Sequence, residues 1–484
     1  MRSFLKIIYL SIFITIFASC SKEYEVPQDL VVHDFVWKGL NAYYLYQHEI
    51  TDLADTRFNS DQQLNTYLST FPDYNSLFSS LLISSDVKSS LTEDYNTIHT
   101  SELRTAFANG LEFGIIAEPN NTENVLGYVT HILPNSDAAN KNITRGEFFH
   151  AVEGIQLTKT NYLDLLVNGS DNFTLQMASF NGTASIPNAK IVPLEKQNYY
   201  YTPTFLEKII TKGSDKIGYV AYNNDFSSSY MNDLNNTFLS LKNQNVTELI
   251  IDLRYNIGGG SFVKSISQIA AMISGQFTDE VLIKEEWNSK AQPWFLANQP
   301  DSLLTKFPDN LNATTPINGL NLKDVYIILN GTNFSGSSAV ELLINSLKPY
   351  INVHIIGNKT AGNNTGSISL YHSIDYDFPL RNTTHTVALQ PIVLSFLNKN
   401  DQTYSNGFEP NIILCQNEDL LNLGVLGEAS DPILNRVLTY ISTGSSGANS
   451  ICNPSNFEYL FNSISRQREI DKGIFINQNL PNTL

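Results

Sequence analysis

Short apolar runs and stretches of helical period alternate through the second half of the chain. Residues 216–222, 249–253, 325–329 and 352–357 are strand-length runs rich in Ile, Val, Leu and Tyr. Residues 261–272, 338–347 and 432–441 instead bring apolar side chains back every three or four positions, the period of an amphipathic helix. Strand and helix in alternation predict an α/β core, here spanning 200–442. Upstream, Phe35, Leu40, Tyr43 and Tyr44 recur at helical spacing and lead into helical patterns at 61–68 and 77–82. These predict a small helical domain over 31–95, whose aromatic stripe reads as core. Between the two lies 100–195, with strand patterns at 115–117 and 127–132, a β-rich domain. Residues 276–320 lack a sustained period, carry Trp287, Trp294 and several prolines, and read as an insertion or lid. The tail, 443–484, is rich in Ser and Asn, with a helical pattern near 457–464.

The chain starts with the basic residues Arg2 and Lys6, an apolar run over 7–17, and the small residues Ala18 and Ser19 before Cys20. That order is a secretory signal (1–19), too short for a comfortable membrane span. Phe17-Ala18-Ser19-Cys20 looks like a bacterial lipobox. It implies that Cys20 becomes the lipidated first residue, with 20–30 as a tether from the membrane of the cell envelope. The expected place is the outer membrane, on its periplasmic or its cell-surface face. An ordinary signal peptide with an incidental cysteine is the alternative. Cleavage before Cys20 leaves 28 basic and 47 acidic residues, a net charge of −19. Such a charge argues against nucleic acid as a partner and against an electrostatic grip on anionic lipid, which leaves the lipid at Cys20 as the membrane contact. The two other cysteines, Cys415 and Cys452, either pair or stay as free thiols, since spacing does not decide proximity. The absence of a CxxC, an HExxH or a carboxylate cluster with metal spacing leads us to expect no metal and no cofactor.

Candidate chemistry gathers in two turns. In the first, the strand 325–329 runs through Ser335, Ser337 and Ser338 into a helix. A serine on a tight strand-to-helix turn exposes its hydroxyl, and the following backbone N–H groups point at what binds there. Helix capping is the plainer role for such serines. In the second, the strand ending at Asp252 passes through Leu253-Arg254-Tyr255-Asn256-Ile257-Gly258-Gly259-Gly260 into the helix at 261. Glycines let backbone approach a ligand closely, and free N–H groups at a helix start suit a developing anion.

Together these segments resemble the tail-specific, or C-terminal processing, serine peptidase family. Its Asp-Leu-Arg-x-Asn-x-Gly-Gly element matches Asp252 to Gly259, and its Ser-Ala-Ser-Glu turn is matched by Ser338-Ala339-Val340-Glu341, with Val340 in place of Ser. The resemblance implies a ClpP/crotonase-like α/β serine protease core in a multidomain chain, acting on polypeptides. Ser338 would be the nucleophile, and the amides of Ala339, Gly258 and Gly259 would hold the oxyanion. The family's general base is a lysine on the glycine-rich loop after the second strand. Spacing from Ser338 puts it at 363, where this chain has Asn363. A carboxamide does not take a proton near neutral pH, and a serine hydroxyl is a poor nucleophile without a base. Lys359, four residues earlier, is the nearby amine that would replace it. Two readings stand: a serine endopeptidase, or a peptide-binding lipoprotein that has lost catalysis. A glycan-handling surface lipoprotein is a third class, suggested by location alone.

The β-rich stretch looks like a PDZ domain. Leu111-Glu112-Phe113-Gly114 occupies the place of the carboxylate-binding loop, and Arg145 to Gly154 resembles the Arg-Gly-Asp-x-Ile-x-x-Val-Asn-Gly turn of protease-associated PDZ domains. Such a domain takes a peptide as an added strand. The resemblance thus implies capture of a polypeptide C-terminus at residues 111–114.

Overall fold

A computed structural model describes residues 26–102, 105–200, 203–223, 226–256, 261–329, 337–414, 418–445, 457–463, 473–476 and 480. Cys20, Gly258, Gly259, Ser335, Cys415 and Cys452 lie outside the described residues.

Three helices come first: α1 (Val31–Tyr43), α2 (Asp61–Leu68) and α3 (Tyr74–Ser80). Ser60 and Asp73 cap the last two by accepting the Gln63 and Ser76 amides, which removes orphan donors from their first turns. Phe35, Leu40 and Tyr43 are at most 2% exposed, and they share one apolar cluster with Ile251, Ile327 and Leu343 of the α/β body. The expected helical domain therefore has helices but no core of its own. Three helices this short enclose too little apolar surface to stand alone.

The β-rich module follows, with β1 (Leu111–Ala117), β2 (Val125–Ile132), β3 (Phe148–Val152), β4 (Asn172–Phe180) and β5 (Ser185–Glu195), and α4 (Tyr162–Leu166) between β3 and β4. Its strands pair antiparallel in the order β1-β2-β3-β4-β5. Phe113, Val129, Phe149, Leu175 and Val192 form a separate apolar cluster. Leu111 to Gly114 are the first residues of β1 and buried, a strand and not the loop expected from the PDZ resemblance. Their backbone is committed to the ladder with β2.

The body contains β6 (Thr204–Lys212), β7 (Asp215–Tyr222), α5 (Met231–Asn243), β8 (Glu248–Asp252), β9 (Ser261–Phe262), α6 (Val263–Ser274), β10 (Val281–Trp287), α7 (Ala291–Asn298) and β11 (Leu304–Lys306). It continues with β12 (Asp324–Ile328), α8 (Ser338–Leu347), β13 (Asn352–Gly357), β14 (Thr365–Ser367), β15 (Ile392–Asn398), β16 (Ile412–Ile413) and α9 (Pro432–Thr443). Two tail strands end the described chain, β17 (Tyr459–Asn462) and β18 (Ile474–Phe475).

The main sheet runs β6-β7-β8-β12-β13-β16, parallel from β7 onward. Alternate residues of its strands face opposite sides. Val220, Ile251 and Ile327 meet the cluster with α5, α6 and α8, while Tyr219, Ile250 and Ile328 meet Leu434 and Val437 of α9. Both faces are covered, as a parallel sheet requires. A second sheet runs β9-β18-β14-β15-β10-β11.

Residues 276–320 are not a lid. Trp287 is 3% exposed and packs, with its ring tilted, 4.8 Å from that of Phe295, and Asn288 Nδ2 donates to the carbonyls of Ala42 and Tyr44. The weak periodicity reflects short strands and a short helix buried together. Within the expected helical stretch near 457–464, Tyr459–Asn462 form strand β17, because the edge of β1 supplies a partner; Ser463 after it is helical, and residue 464 lies outside the described residues.

Candidate active site

Neighbouring parallel strands bring their C-terminal turns side by side, which is where open α/β sheets place ligands. Here β8 and β12 are neighbours, with Asp252 beside Ile328, and the Leu253 amide donates to the Ile328 carbonyl at 2.8 Å. The turn after β8 therefore faces the start of α8. Ser337 Oγ donates to Asn256 Oδ1 at 3.1 Å and, as N-cap, accepts the Val340 amide. The two motifs found far apart in sequence thus meet. Ser338 opens α8 and is 3% exposed, with Ala339 at 2%. The Ser338 hydroxyl has no hydrogen-bond partner among the described residues. As the first residues of a helix, Ser338 and Ala339 carry amides that the helix itself does not use.

The turn after β8 is held by a buried charge cluster. Arg254 is 1% exposed; its Nε donates to both Asp252 oxygens at 3.0 Å, and its terminal nitrogens reach Asp431 at 2.8 Å and Glu418 at 3.1 Å. Tyr219 donates to Asp252 at 2.7 Å, and Asp431 caps α9 by accepting the Ile433 and Leu434 amides. The β-module joins through Arg145, 2.8 Å from Glu418 and hydrogen-bonded to Tyr255, and through His131 stacked on Tyr255 at 4.5 Å. Two arginines and the Tyr255 hydroxyl hold the Glu418 carboxyl at about 2 against the burial that would raise it. Burial, then the Arg145 charge, hold His131 down to about 3. The aspartate and arginine of the glycine motif are thus a clamp under the turn, joining β8, α9 and the module. The sequence reading did not see this role, because Glu418, Asp431 and Arg145 are far away along the chain.

The loop after β13 hangs from α8. Glu341, fully buried one turn after Ser338, accepts the Gly362 and Asn363 amides at 2.7 Å each and a hydrogen bond from Thr360. Burial outweighs these bonds and pushes its carboxyl above the ordinary range. Thr360 accepts the Phe408 amide at 2.7 Å, and Gly362, at φ +86°, lies so close to the Ser405 carbonyl that a Cβ would sit 2.3 Å from it. Glutamate at 341 was legible as part of the Ser-Ala-Ser-Glu resemblance, but not as the anchor of the loop.

Asn363 is half-buried, its backbone fixed by Glu341. Lys359, expected to replace the missing base, is directed elsewhere. Its side chain is 56% exposed and its ammonium pairs with Glu409 at 2.8 Å. His354 is a strand residue whose Nε2 lies 2.9 Å from Asp324. Gly258 and Gly259 are outside the described residues, so of the three residues expected to hold an oxyanion only Ala339 is described. Among the described residues no cluster of three or more His, Cys, Asp or Glu side chains fits a metal ion, and no helix is long and apolar enough to cross a membrane.

Residues 216–413 match the model of the family described as peptidase family S41. No curated protein matches the chain. Among solved structures, a Bacteroides fragilis protein described as an S41 protease superposes with a TM-score of 0.65 at 19% identity, over 85% of this chain and 97% of that one. A photosystem II D1 C-terminal processing protease gives a TM-score of 0.45 at 15% identity, over 84% of this chain and 100% of that one. The first of these likenesses shows a shared fold. The chain carries an S41 peptidase domain on a multidomain α/β fold.

Proposed function

We propose that this protein handles polypeptides at the cell envelope on a serine peptidase scaffold, with Ser338 in the nucleophile position and hydrolysis held to a low rate. One observation carries the reading: the position that should supply a base holds Asn363, while the nearest amine along the loop, Lys359, is turned to Glu409 and solvent. Ser338 keeps its place at the helix start, and the Ala339 amide is free to meet an oxyanion. Among the described residues neither Asn363 nor Lys359 is placed to take the hydroxyl proton, and losing general-base assistance costs about a hundred- to ten-thousand-fold in rate. The β-module is the part that takes a polypeptide by strand addition to β1 at residues Leu111 to Gly114, on the side that β17 now covers.

The test compares wild type, Ser338→Ala, Asn363→Lys and Lys359→Ala for fluorophosphonate labelling and casein hydrolysis. The reading expects traces of either in wild type, a gain of at least about a hundredfold in Asn363→Lys, and none after Ser338→Ala. A second reading, full endopeptidase activity, is favoured by the unpartnered hydroxyl of Ser338 beside free helix amides. It expects rapid cleavage by wild type that Lys359→Ala abolishes. Envelope attachment rests on Cys20: Cys20→Ser should release the protein from the membrane fraction, and unchanged fractionation would refute the anchor.

A further inference from the structure

Described parts of the chain's own C-terminal tail pair with three strand edges, that of β1 in the module and those of β9 and β14 in the body. At the module, β17 pairs antiparallel with β1, Tyr459 opposite Ile116 and Asn462 opposite Gly114, and the Ala117 amide donates to the Glu458 carbonyl at 2.8 Å. Beyond β17, Ser463 Oγ accepts the Phe113 amide at 2.9 Å and donates to Glu112 at 2.5 Å. Leu460 and Phe461 pack on the module's core, with the Phe461 ring 5.8 Å from that of Phe113.

Farther along, β18 lies between β9 and β14, parallel to both, and the Ile476 amide donates to the Ser367 carbonyl at 3.1 Å. These partners have a telling position. Strand β9 begins where the glycine turn ends, and β14 begins two residues after Asn363. A two-residue strand of the tail thus pairs at once with the residues that follow the glycine turn in sequence and with those that follow Asn363. Ile474 is fully buried, and Phe475 and Ile476 line one side of a cavity of about 630 Å³ whose other walls include Phe262, Gln268 and Glu285.

Strand edges left unpaired are templates for another chain. Without the tail, β1, β9 and β14 present such edges in one molecule. We propose that residues 457–463 and 473–476 occupy, in cis, the route by which a polypeptide ligand enters, so that the tail is a displaceable stand-in for that ligand. This rests on the reading of the domain as polypeptide-handling, and it names the ligand class: an extended segment with aromatic and branched apolar side chains at the positions of Leu460, Phe461, Ile474 and Ile476. The chain that pairs with β1 continues past Ser463 to β18, so the edge of β1 takes an internal stretch of polypeptide that runs on toward the site, in preference to a free C-terminus.

A tethered occupant competes at an effective concentration in the millimolar range, so an outside peptide gains about a hundredfold or more when the tether is cut. The experiment places a site-specific protease sequence within 446–456 of the full chain and follows binding of a fluorescein-labelled peptide with the sequence of 457–476, before and after cutting. The expected result is an affinity at least about a hundredfold higher after cutting, exchange of the severed fragment for labelled peptide, and retained cooperative unfolding. In the uncut chain, Phe461→Asp with Ile474→Asp should raise peptide affinity and speed amide exchange at β1, β9 and β14. Unchanged affinity in both the cut chain and the double variant, or loss of cooperative unfolding in both, overturns the proposal. If cutting opens peptide binding while no form labels with fluorophosphonate, the tail proposal stands and the peptidase reading falls. If Ser338 labels equally before and after cutting and peptide affinity does not move, the peptidase reading stands and the tail proposal falls.

Discussion

Replacing Glu341 tests whether one buried carboxylate holds the loop of Asn363 against the helix of Ser338. In Glu341→Ala the Gly362 and Asn363 amides, each now 2.7 Å from a carboxylate oxygen, lose their acceptor inside the protein, and Thr360 loses a third partner. An unsatisfied buried donor costs about 1–3 kcal/mol, which for two amides gives about 2–6 kcal/mol. Part of that is offset, because removing the carboxyl also removes the burial cost that pushes it upward. The expected net loss is about 3 kcal/mol for Glu341→Ala and about half that for Glu341→Gln, whose carbonyl still serves one of the two amides. Urea denaturation followed by circular dichroism measures the loss, and amide exchange at Gly362 and Asn363 locates it. In an Asn363→Lys background, Glu341→Gln should also cut fluorophosphonate labelling of Ser338, since the new amine would sit on a loosened loop. Stability within about 0.5 kcal/mol of wild type for both substitutions, below the cost of a single orphaned amide, together with unchanged loop exchange, would refute the anchoring role.

Acid should destabilise the junction between module and body. The His131 ring stays neutral in the fold down to about 3, whereas the unfolded chain protonates near 6.5, so stability falls as pH drops through that window by about 1.4 kcal/mol per unit. Glu418, held at about 2 against an ordinary 4.5, adds stability that is complete above 4.5 and lost toward 2; denaturation midpoints of Glu418→Gln between pH 5 and 2 should show a flatter slope than wild type. Glu285 has the opposite sign. Burial raises it to about 8 from 4.5, so its contribution is present below 4.5 and lost as pH rises to 8, and Glu285→Gln should gain on wild type toward alkaline pH by up to about 5 kcal/mol. Arg254→Met leaves the Asp252 and Asp431 carboxylates buried without their cation; the expected loss is about 3–5 kcal/mol by denaturant titration, and a loss below about 1 kcal/mol, the worth of a surface pair, would show the cluster to be no clamp.

The resemblance to tail-specific peptidases named Ser338 and Glu341 from a four-residue turn, and it noticed that 363 carries Asn. Those are statements about single positions, and a chain read in one dimension can make them. The helices were legible for the same reason: in α8 all ten residues are buried and bonded to neighbours three and four places away, so period and composition contain what the element needs. The strands of the main sheet showed as apolar runs because both faces are covered, though nothing in the runs named β8 and β12 as neighbours.

Partnership across the chain is what tertiary structure decided. Lys359 has a long, flexible stem, and its direction depends on Glu409, brought near by the pairing of Thr360 with Phe408. Arg254 reads as one residue of a glycine motif until Glu418 and Asp431 close on it. The stretch 457–464 reads as helical, yet Tyr459–Asn462 within it form a strand because β1, some 340 residues earlier, offers an open edge. A helix finds its hydrogen bonds within its own turn, whereas a strand, a salt bridge and a site must borrow theirs from elsewhere. The one-dimensional pattern therefore determined the helices of the α/β body and which residues were chemically able, and the folded chain determined which of them meet.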